Sequence, residues 1–473
     1  MQFFFFFNWR RLLSIDNQLY TNILHNQTIS LLQDGCEYLI WAVYIYFVYL
    51  RPVIEDRHQS KMCNSCLLRH LLWVATIAIM PLIAGCLANP EASDLTTDPP
   101  EAYRKAKAPI VVAYLHIGNR ILDSRTIDLE GVDFVNLAFT VIKNNRMGLL
   151  HPTDAQNFHV ARNLKRKYPG LKVLVSVGGQ GTEKVFSTMT KSDEARKVFA
   201  DDAVRFVRAY GLDGIDIDWE YPGMKKATRA ADRTNFTALL ATLRASFDEA
   251  SRKDGQKYYV TVASGAFEQY LDYIEPLKVT PLVDYFFLMT YDFHGQWNEY
   301  NGHHTNLYMP TGKPYGHSVE RIVNLYIGKG IPKSKIVIGA AFYGRKWTGV
   351  ELKQGSVVYN PGKGVGSVSY RNIVSVLKDG NGYRRYWDRQ AYAPFIYNQS
   401  QKIFISYDDR ESVARKVDFA CIHHLGGIMY WEHFSDANGN ELAKAIVDEM
   451  ELRKGYHAKI RLPGGQFVKK CEK

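Results

Sequence analysis

From Pro109 onward, short apolar runs rich in β-branched residues recur along the chain, and amphipathic stretches lie between several of them. The runs are Ile110–Leu115, Phe134–Thr140, Lys172–Val177, Gly214–Glu220, Tyr258–Ser264, Tyr285–Tyr291, Lys335–Tyr343 and Gly427–Glu432. They are nearly uninterrupted, as expected of strands buried on both faces of a parallel sheet. The helical stretches include Asp193–Tyr210, Ala230–Ala250, Ser318–Gly328 and Glu411–His423. Eight such runs alternating with helices predict an α/β chain folded as a (β/α)8 TIM barrel over residues 109–452.

One interval is oversized. Between Tyr343 and Gly427, VSYRNIVSVLKDG reads as a short helix, and YRRYWDRQAYAPFIYN and KIFISYDD read as strands. This predicts a small α+β insertion at about 347–400, between strand 7 and strand 8, standing on the C-terminal rim of the barrel. The predicted strands end in polar or aromatic residues: Tyr114, Phe139, Ser176, Glu220, Ser264, Tyr291 with Asp292, Tyr343, and Trp431 with Glu432. Barrel enzymes build their sites at that end, so these side chains should converge.

The fourth run lies within GLDGIDIDWEYPG, residues 211–223. Strand side chains alternate faces, so Asp216, Asp218 and Glu220 share one face and Ile215, Ile217 and Trp219 the other. The acids then point into the barrel, successive ones about 6.5 Å apart. Carboxylates packed in this way cannot all ionise, because each charge raises its neighbour's pKa. One should keep a proton near neutral pH, which is how a general acid is prepared.

Other chemistries compete for the acids. A calcium loop starting at Asp216 needs Gly at its sixth position and Glu at its twelfth, where this chain has Tyr221 and Ala227. A purely structural acid network lacks a stabilising cation in the neighbouring sequence. A two-metal site would recruit histidines, and His294, His303 and His304 share one loop, where a surface position is expected; this alternative stays open.

Composition limits the field further. The 473 residues are 46% hydrophobic and 23% charged, which is globular and not disordered. The net charge of +11 is dispersed, without the basic stripes of a nucleic-acid binder. The exception is a basic tail at 453–473, read as solvated surface. Aromatics at 13%, with 30 Tyr and 8 Trp, suit either a large core or a groove that stacks on sugars or bases. Six cysteines, Cys36, Cys63, Cys66, Cys86, Cys421 and Cys471, form no disulfide framework, and the Cys63–Cys66 pair lacks a second ligand pair for zinc.

The amino-terminal part reads as a targeting region. Arg69 precedes an apolar run, Leu71–Leu82, of signal-peptide length, which ends in Ile83-Ala84-Gly85-Cys86. This resembles a bacterial lipobox, which would make 62–85 a signal peptide, Cys86 the acylated residue and 86–108 a tether. Residues 1–61 carry a second apolar run, Tyr38–Leu50, and are expected to be an upstream extension, with translation starting at Met62; the rival is a membrane hairpin of both runs.

The motifs together resemble the family 18 glycoside hydrolases, the chitinases. Asp213-Gly214-Ile215-Asp216-Ile217-Asp218-Trp219-Glu220 matches that family's D-x-x-D-x-D-x-E signature, Ser176-Val177-Gly178-Gly179 its S-x-G-G, and Met289-Thr290-Tyr291-Asp292 its M-x-Y-D. Trp431 resembles the eighth-strand tryptophan under the cleaved sugar. The resemblance implies retaining hydrolysis of β-1,4-linked N-acetylglucosamine polymers, the substrate's own acetamido group acting as nucleophile, with no cofactor and no metal. It implies that Glu220 protonates the glycosidic oxygen, Asp218 accepts the acetamido N–H, and Asp216 shares a proton with Asp218. Tyr291 would bond the acetamido oxygen, and Asp292 would lie near the scissile linkage. Tyr114, Phe139, Tyr221, Met289, Tyr343, Arg345 and Trp431 would contact sugar, with Asp213, Ser176, Gly178 and Gly179 in support. Cis peptides are expected at Ala138–Phe139, Glu220–Tyr221 and Trp431–Glu432. The partners implied are a chitin-like glycan and, through Cys86, a membrane; nucleic acid is not expected and the chain is expected to be a monomer. The alternatives are an endoglycosidase on N-glycans or a cell-wall lysin, and, in another class, a glycan-binding surface lipoprotein without hydrolysis.

Overall fold

The computed structural model describes residues 108–459 apart from 226, 312–315 and 354. The expected signal segment, the lipidation residue Cys86, the tether and residues 460–473 of the tail lie outside the described residues.

Among the described residues there are fourteen strands: β1 Ile110–His116, β2 Phe134–Lys143, β3 Arg146–Gly148, β4 Lys172–Gly178, β5 Gly214–Asp218, β6 Tyr259–Ser264, β7 Tyr285–Leu288, β8 Ile336–Ala341, β9 Tyr343–Thr348, β10 Lys363–Ser369, β11 Tyr383–Asp388, β12 Ala393–Asn398, β13 Ile403–Ser406 and β14 Gly427–Trp431. The parallel order β1-β14-β8-β7-β6-β5-β4-β2 closes on itself because β1 also pairs with β2. This is the expected eight-stranded barrel, and each predicted run supplies one strand. Closure leaves no exposed edge and forces alternate residues inward. Phe134, Leu174, Phe287, Val337 and Met429 fill the interior, while Val135, Val175, Ile215, Ile217 and Ile338 face the helices.

Trp219 takes the outward position expected of it. Its ring stacks on Phe186 at 5.2 Å and meets Phe236 edge-on at 5.9 Å, clamping β5 between two helices. Truncation of so buried an aromatic costs about 3–5 kcal/mol. The helices have legible ends. Asp193–Tyr210 is capped by the Ser192 side chain, which accepts from Ala195 N–H, and stops at Gly211, whose φ of +69° is left-handed. Arg410–Ile422 starts with a reciprocal capping box between Asp409 and Ser412.

The structure differs from the sequence reading in four places. β5 ends at Asp218 and β7 at Leu288, so Glu220 and Tyr291 stand just past the last ladder bonds. The insertion is wider than 347–400. Only Phe342 separates β8 from β9, so the antiparallel sheet β10-β9-β13-β12-β11 with the helix Tyr370–Lys378 spans 343–406. It has its own core of Trp347, Val350, Phe395, Tyr397 and Phe404. The helix Asp154–Lys167 and the hairpin β2–β3 were not anticipated. The last helix, Glu441–Lys459, continues into the stretch read as tail.

Candidate active site

Asp216 lies at the bottom of the site with no solvent exposure. Its carboxylate accepts three hydroxyl hydrogen bonds: Tyr114 Oη and Ser176 Oγ donate to Oδ2 at 2.9 and 2.8 Å, and Thr261 Oγ1 donates to Oδ1 at 2.6 Å. Four strands thus meet on one carboxylate. Burial raises its pKa, and the three donors oppose that rise by favouring the anion. Two residues on, Asp218 is 4% exposed and its Oδ1 is buried without a partner. Burial first, then the charges of Glu220 and Asp216, push its pKa well up. Among the described residues no ion pair engages Asp216, Asp218 or Glu220.

Glu220 completes the ladder. Its pKa is raised to about 7, chiefly by burial and further by the charge of Asp292, against a hydrogen bond with Tyr221 that lowers it. A carboxyl group that titrates there is protonated in a large fraction of molecules near neutrality and can donate. The peptide bond after it is cis, as are Ala138–Phe139 and Trp431–Glu432. Tyr221 is held edge-on by Phe267 and Tyr270.

The floor is aromatic. Trp431 stacks on Phe139 at 5.5 Å and packs against Tyr114 at 5.7 Å and His116 at 5.6 Å. Met289 and Tyr291 border the same interior cluster, and the Tyr291 hydroxyl reaches Met429 Sδ at 4.0 Å. Beside the floor a cavity of about 310 Å³ is lined by His116, Asn119, Phe139, Leu150, His151 and Asp154. A larger cleft of about 570 Å³ near Arg244 and Lys335 contains none of the predicted site residues.

Opposite Glu220, the insertion delivers two residues to Asp292. Arg345 on β9 grips it with both prongs, Nε to Oδ1 at 2.7 Å and Nη2 to Oδ2 at 2.6 Å, while Tyr343 Oη donates to Oδ1 at 2.8 Å. Burial alone would raise Asp292, but His304 and Arg345 outweigh it and hold the carboxyl well below the usual carboxylate range. His304 Nδ1 stands 3.7 Å from Oδ1, beyond hydrogen-bond reach. Asp292 has φ +61°, a left-handed conformation that aspartate tolerates better than most residues. Arg345 also lies over Trp297, which is 57% exposed on the rim.

The two supporting glycines act through backbone contact. At Gly178, φ is +123° and a Cβ would sit 2.0 Å from the carbonyl oxygen of Asp218. Gly179 N–H donates to that same oxygen at 2.9 Å, and a Cβ on it would press on Phe139. The glycines therefore let β4 lie against the acid ladder. Asp213 is at the other end of β5, where it pairs with Lys165 at 2.7 Å and accepts from Val173 N–H at 2.8 Å.

The loop histidines are not on the surface. His294, His303 and His304 are 5%, 0% and 0% exposed, because the insertion covers them. His303 Nε2 meets Asp388 Oδ2 at 2.9 Å, His294 Nδ1 faces the carbonyl of His303, and His304 Nε2 faces that of Tyr343. Among the described residues no group of three or more His, Cys, Asp or Glu is gathered as a metal would require. Thr261 and His116 are site residues that the sequence reading does not single out, and His304, expected at the surface, is buried beside Asp292. Thr261 had a signal: it is a polar residue on the inward face of an apolar strand. His304 had none, since its partners are distant in sequence.

Known proteins resemble this arrangement. A family model described as glycosyl hydrolases family 18 matches residues 110–436. Chitinase A1 of Niallia circulans is 38% identical over 303 residues, 60% of this chain and 43% of that relative, and chitinase A of Pseudoalteromonas piscicida is 32% identical over 64% and 43%. The chain thus spans less than half the length of these relatives. Among solved structures, a glycoside hydrolase family 18 N-acetylglucosaminidase from Paenibacillus barengoltzii is 36% identical with a TM-score of 0.66, covering 72% of this chain and 99% of that one. Chitinase ChiA74 from Bacillus thuringiensis is 29% identical with a TM-score of 0.68, covering 73% and 70%. With the closed barrel, the inward acid ladder and a family match running from β1 past β14, this chain belongs to family 18 of the glycosyl hydrolases.

Proposed function

We propose that this chain is a retaining glycoside hydrolase that cleaves β-1,4-linked N-acetylglucosamine polymers by substrate-assisted catalysis. The observation that carries the reading is Glu220, a carboxyl group that titrates at about 7 at the mouth of a buried acid ladder. Glu220 protonates the leaving glycosidic oxygen. The acetamido carbonyl of the sugar on the Trp431 floor attacks C1, and the resulting oxazolinium ion is opened by water with Glu220 as base. The unpartnered Oδ1 of Asp218 is a buried acceptor suited to the acetamido N–H. Asp216 takes the three neighbouring hydroxyls for itself, and the Asp218 Oδ1 above it is left without a partner. Trp431, Phe139 and His116 offer flat faces to pyranose rings, and the Asp292–Arg345 pair forms the polar wall on the insertion side.

Proton NMR of the first products from chitohexaose tests this. The reading expects new reducing ends released as the β-anomer. Initial release of the α-anomer, or no cleavage of the oligomer, overturns it. We further propose that the chain is exported and lipid-anchored at Cys86. The support is the small-residue run Ala84-Gly85 placed directly between an apolar segment and that cysteine. Metabolic labelling with a palmitate analogue should mark the parent and not Cys86→Ala, and equal labelling of both contradicts the anchor.

A further inference from the structure

Beneath the Asp292 wall, away from any sugar-facing surface, lies an ion pair with no solvent exposure on either partner: Lys416 Nζ to Asp408 Oδ2 at 2.6 Å. Two segments that build the wall are bonded to it. Ala341, the last residue of β8 before the Tyr343–Arg345 arm, donates its N–H to Asp408 Oδ2 at 2.9 Å. Thr305 receives Lys416 Nζ on Oγ1 at 2.6 Å and stands 3.0 Å from the carbonyl oxygen of Thr290, next to Tyr291 and Asp292. The same hydroxyl is 3.2 Å from Asp408 Oδ2.

A hydroxyl carries one proton and can donate it once. Asp408 Oδ2 already accepts from Lys416 and Ala341, and its Oδ1 accepts from Ser412 Oγ at 2.7 Å. With Asp408 so occupied, the Thr305 proton goes to the shorter bond, the Thr290 carbonyl. Without the lysine, Asp408 regains a lone pair, Thr305 turns to it and Thr290 is released. Thr290 then loses the bond on its carbonyl and keeps those of its hydroxyl to the backbone of Gly339 and of its N–H to the Leu288 carbonyl. A buried pair adds little stability relative to apolar residues of the same volume, so its effect belongs in geometry.

We propose that the Lys416–Asp408 pair is a positioning device that sets the register of Asp292 against Arg345, and through it the charge that Glu220 meets. This rests on the glycosidase reading above. Glu220 faces Asp218, Asp292, Tyr221 and Tyr291; Asp292 faces Arg345, Tyr343 and His304; Lys416 faces Asp408. The negative charge of Asp292 raises the pKa of Glu220. If Asp292 drifts, Glu220 holds its proton less tightly.

The experiment compares the parent, the near-isosteric pair Lys416→Met with Asp408→Asn, and a control, Val417→Ala, which empties core volume on the same helix without touching the network. Each is followed by thermal melting and by kcat/KM against pH on chitohexaose. The double variant should fold, lose about 10-fold or more in kcat/KM, as ångström-scale misplacement does, and move its alkaline limb to lower pH. Val417→Ala should melt earlier and keep the parent's pH profile. A double variant with the parent's rate and profile, or a control whose limb moves equally, overturns the positioning role. A parent that never cleaves the oligomer overturns both this role and the functional reading.

Discussion

Replacing Thr261 with valine removes one hydroxyl from the buried cluster and preserves its shape. Thr261 Oγ1 donates to Asp216 Oδ1 at 2.6 Å, while the Tyr114 and Ser176 hydroxyls both go to Oδ2. The variant therefore strips Oδ1 of that donor in a place water does not reach. A hydrogen bond to a charged group is worth about 1.5–3 kcal/mol, and one between neutral groups about 0.5–1.5 kcal/mol. The cost should depend on pH, and its sign follows from linkage. Thr261 is among the donors that hold the Asp216 pKa down against burial, so its loss raises that pKa further. A carboxyl group whose folded pKa is raised destabilises the fold once it must ionise, and the penalty disappears where it stays protonated. At pH 7.5 the variant should lose about 2 kcal/mol, which is about 3 °C in melting temperature for a domain of this size. As pH falls towards 3 the difference from the parent should shrink to that of a neutral bond. Melts of both proteins by circular dichroism across pH 3–8 read this directly. A difference that is flat with pH, or that grows under acid, would refute the claim that Asp216 is a buried anion held by its donors.

Three further outcomes follow from the same site. Because Glu220 must be protonated to act and titrates at about 7, kcat/KM should be full on the acid side of that value and fall about tenfold per pH unit above it. Asp292→Asn removes a charge that raises Glu220, so its alkaline limb in the same assay should lie at lower pH than the parent's; a limb at higher pH would contradict the assignment. Gly178→Ala drives a methyl group to 2.0 Å from the Asp218 carbonyl at a left-handed φ, so the variant should melt at least several degrees lower and lose most activity, and an unchanged melting temperature would show the approach is not tight.

Much of this was legible in the sequence, for physical reasons that can be named. Strands buried on both faces must be apolar throughout, so runs such as Val173–Val177 identify themselves. The period of two separates Asp216 and Asp218 from Ile215 and Ile217, so the ladder's direction is readable before any coordinates. Contacts set by distant segments were less legible. Arg345 was expected to touch sugar, but its bidentate grip on Asp292 depends on β9 folding back over the barrel. His303 and His304 look like surface loop residues until the insertion covers them. Lys416 falls on the buried stripe of its helix, four residues after Ser412 and three after Val413. A lysine there announces a buried partner, yet only the fold identifies Asp408. The helix Asp154–Lys167 carries a readable buried stripe in Phe158, Ala161 and Leu164.

The central claim is that the proton on Glu220 does the work. Glu220→Gln keeps the shape and hydrogen-bonding capacity of the side chain and removes the transferable proton. Hydrolysis of chitohexaose and binding of the same oligomer by calorimetry should be measured side by side on parent and variant. The account predicts that the variant loses at least about 100-fold in kcat, the lower end of what general acid catalysis supplies, and still binds the oligomer. A variant that cleaves at the parent's rate would contradict it.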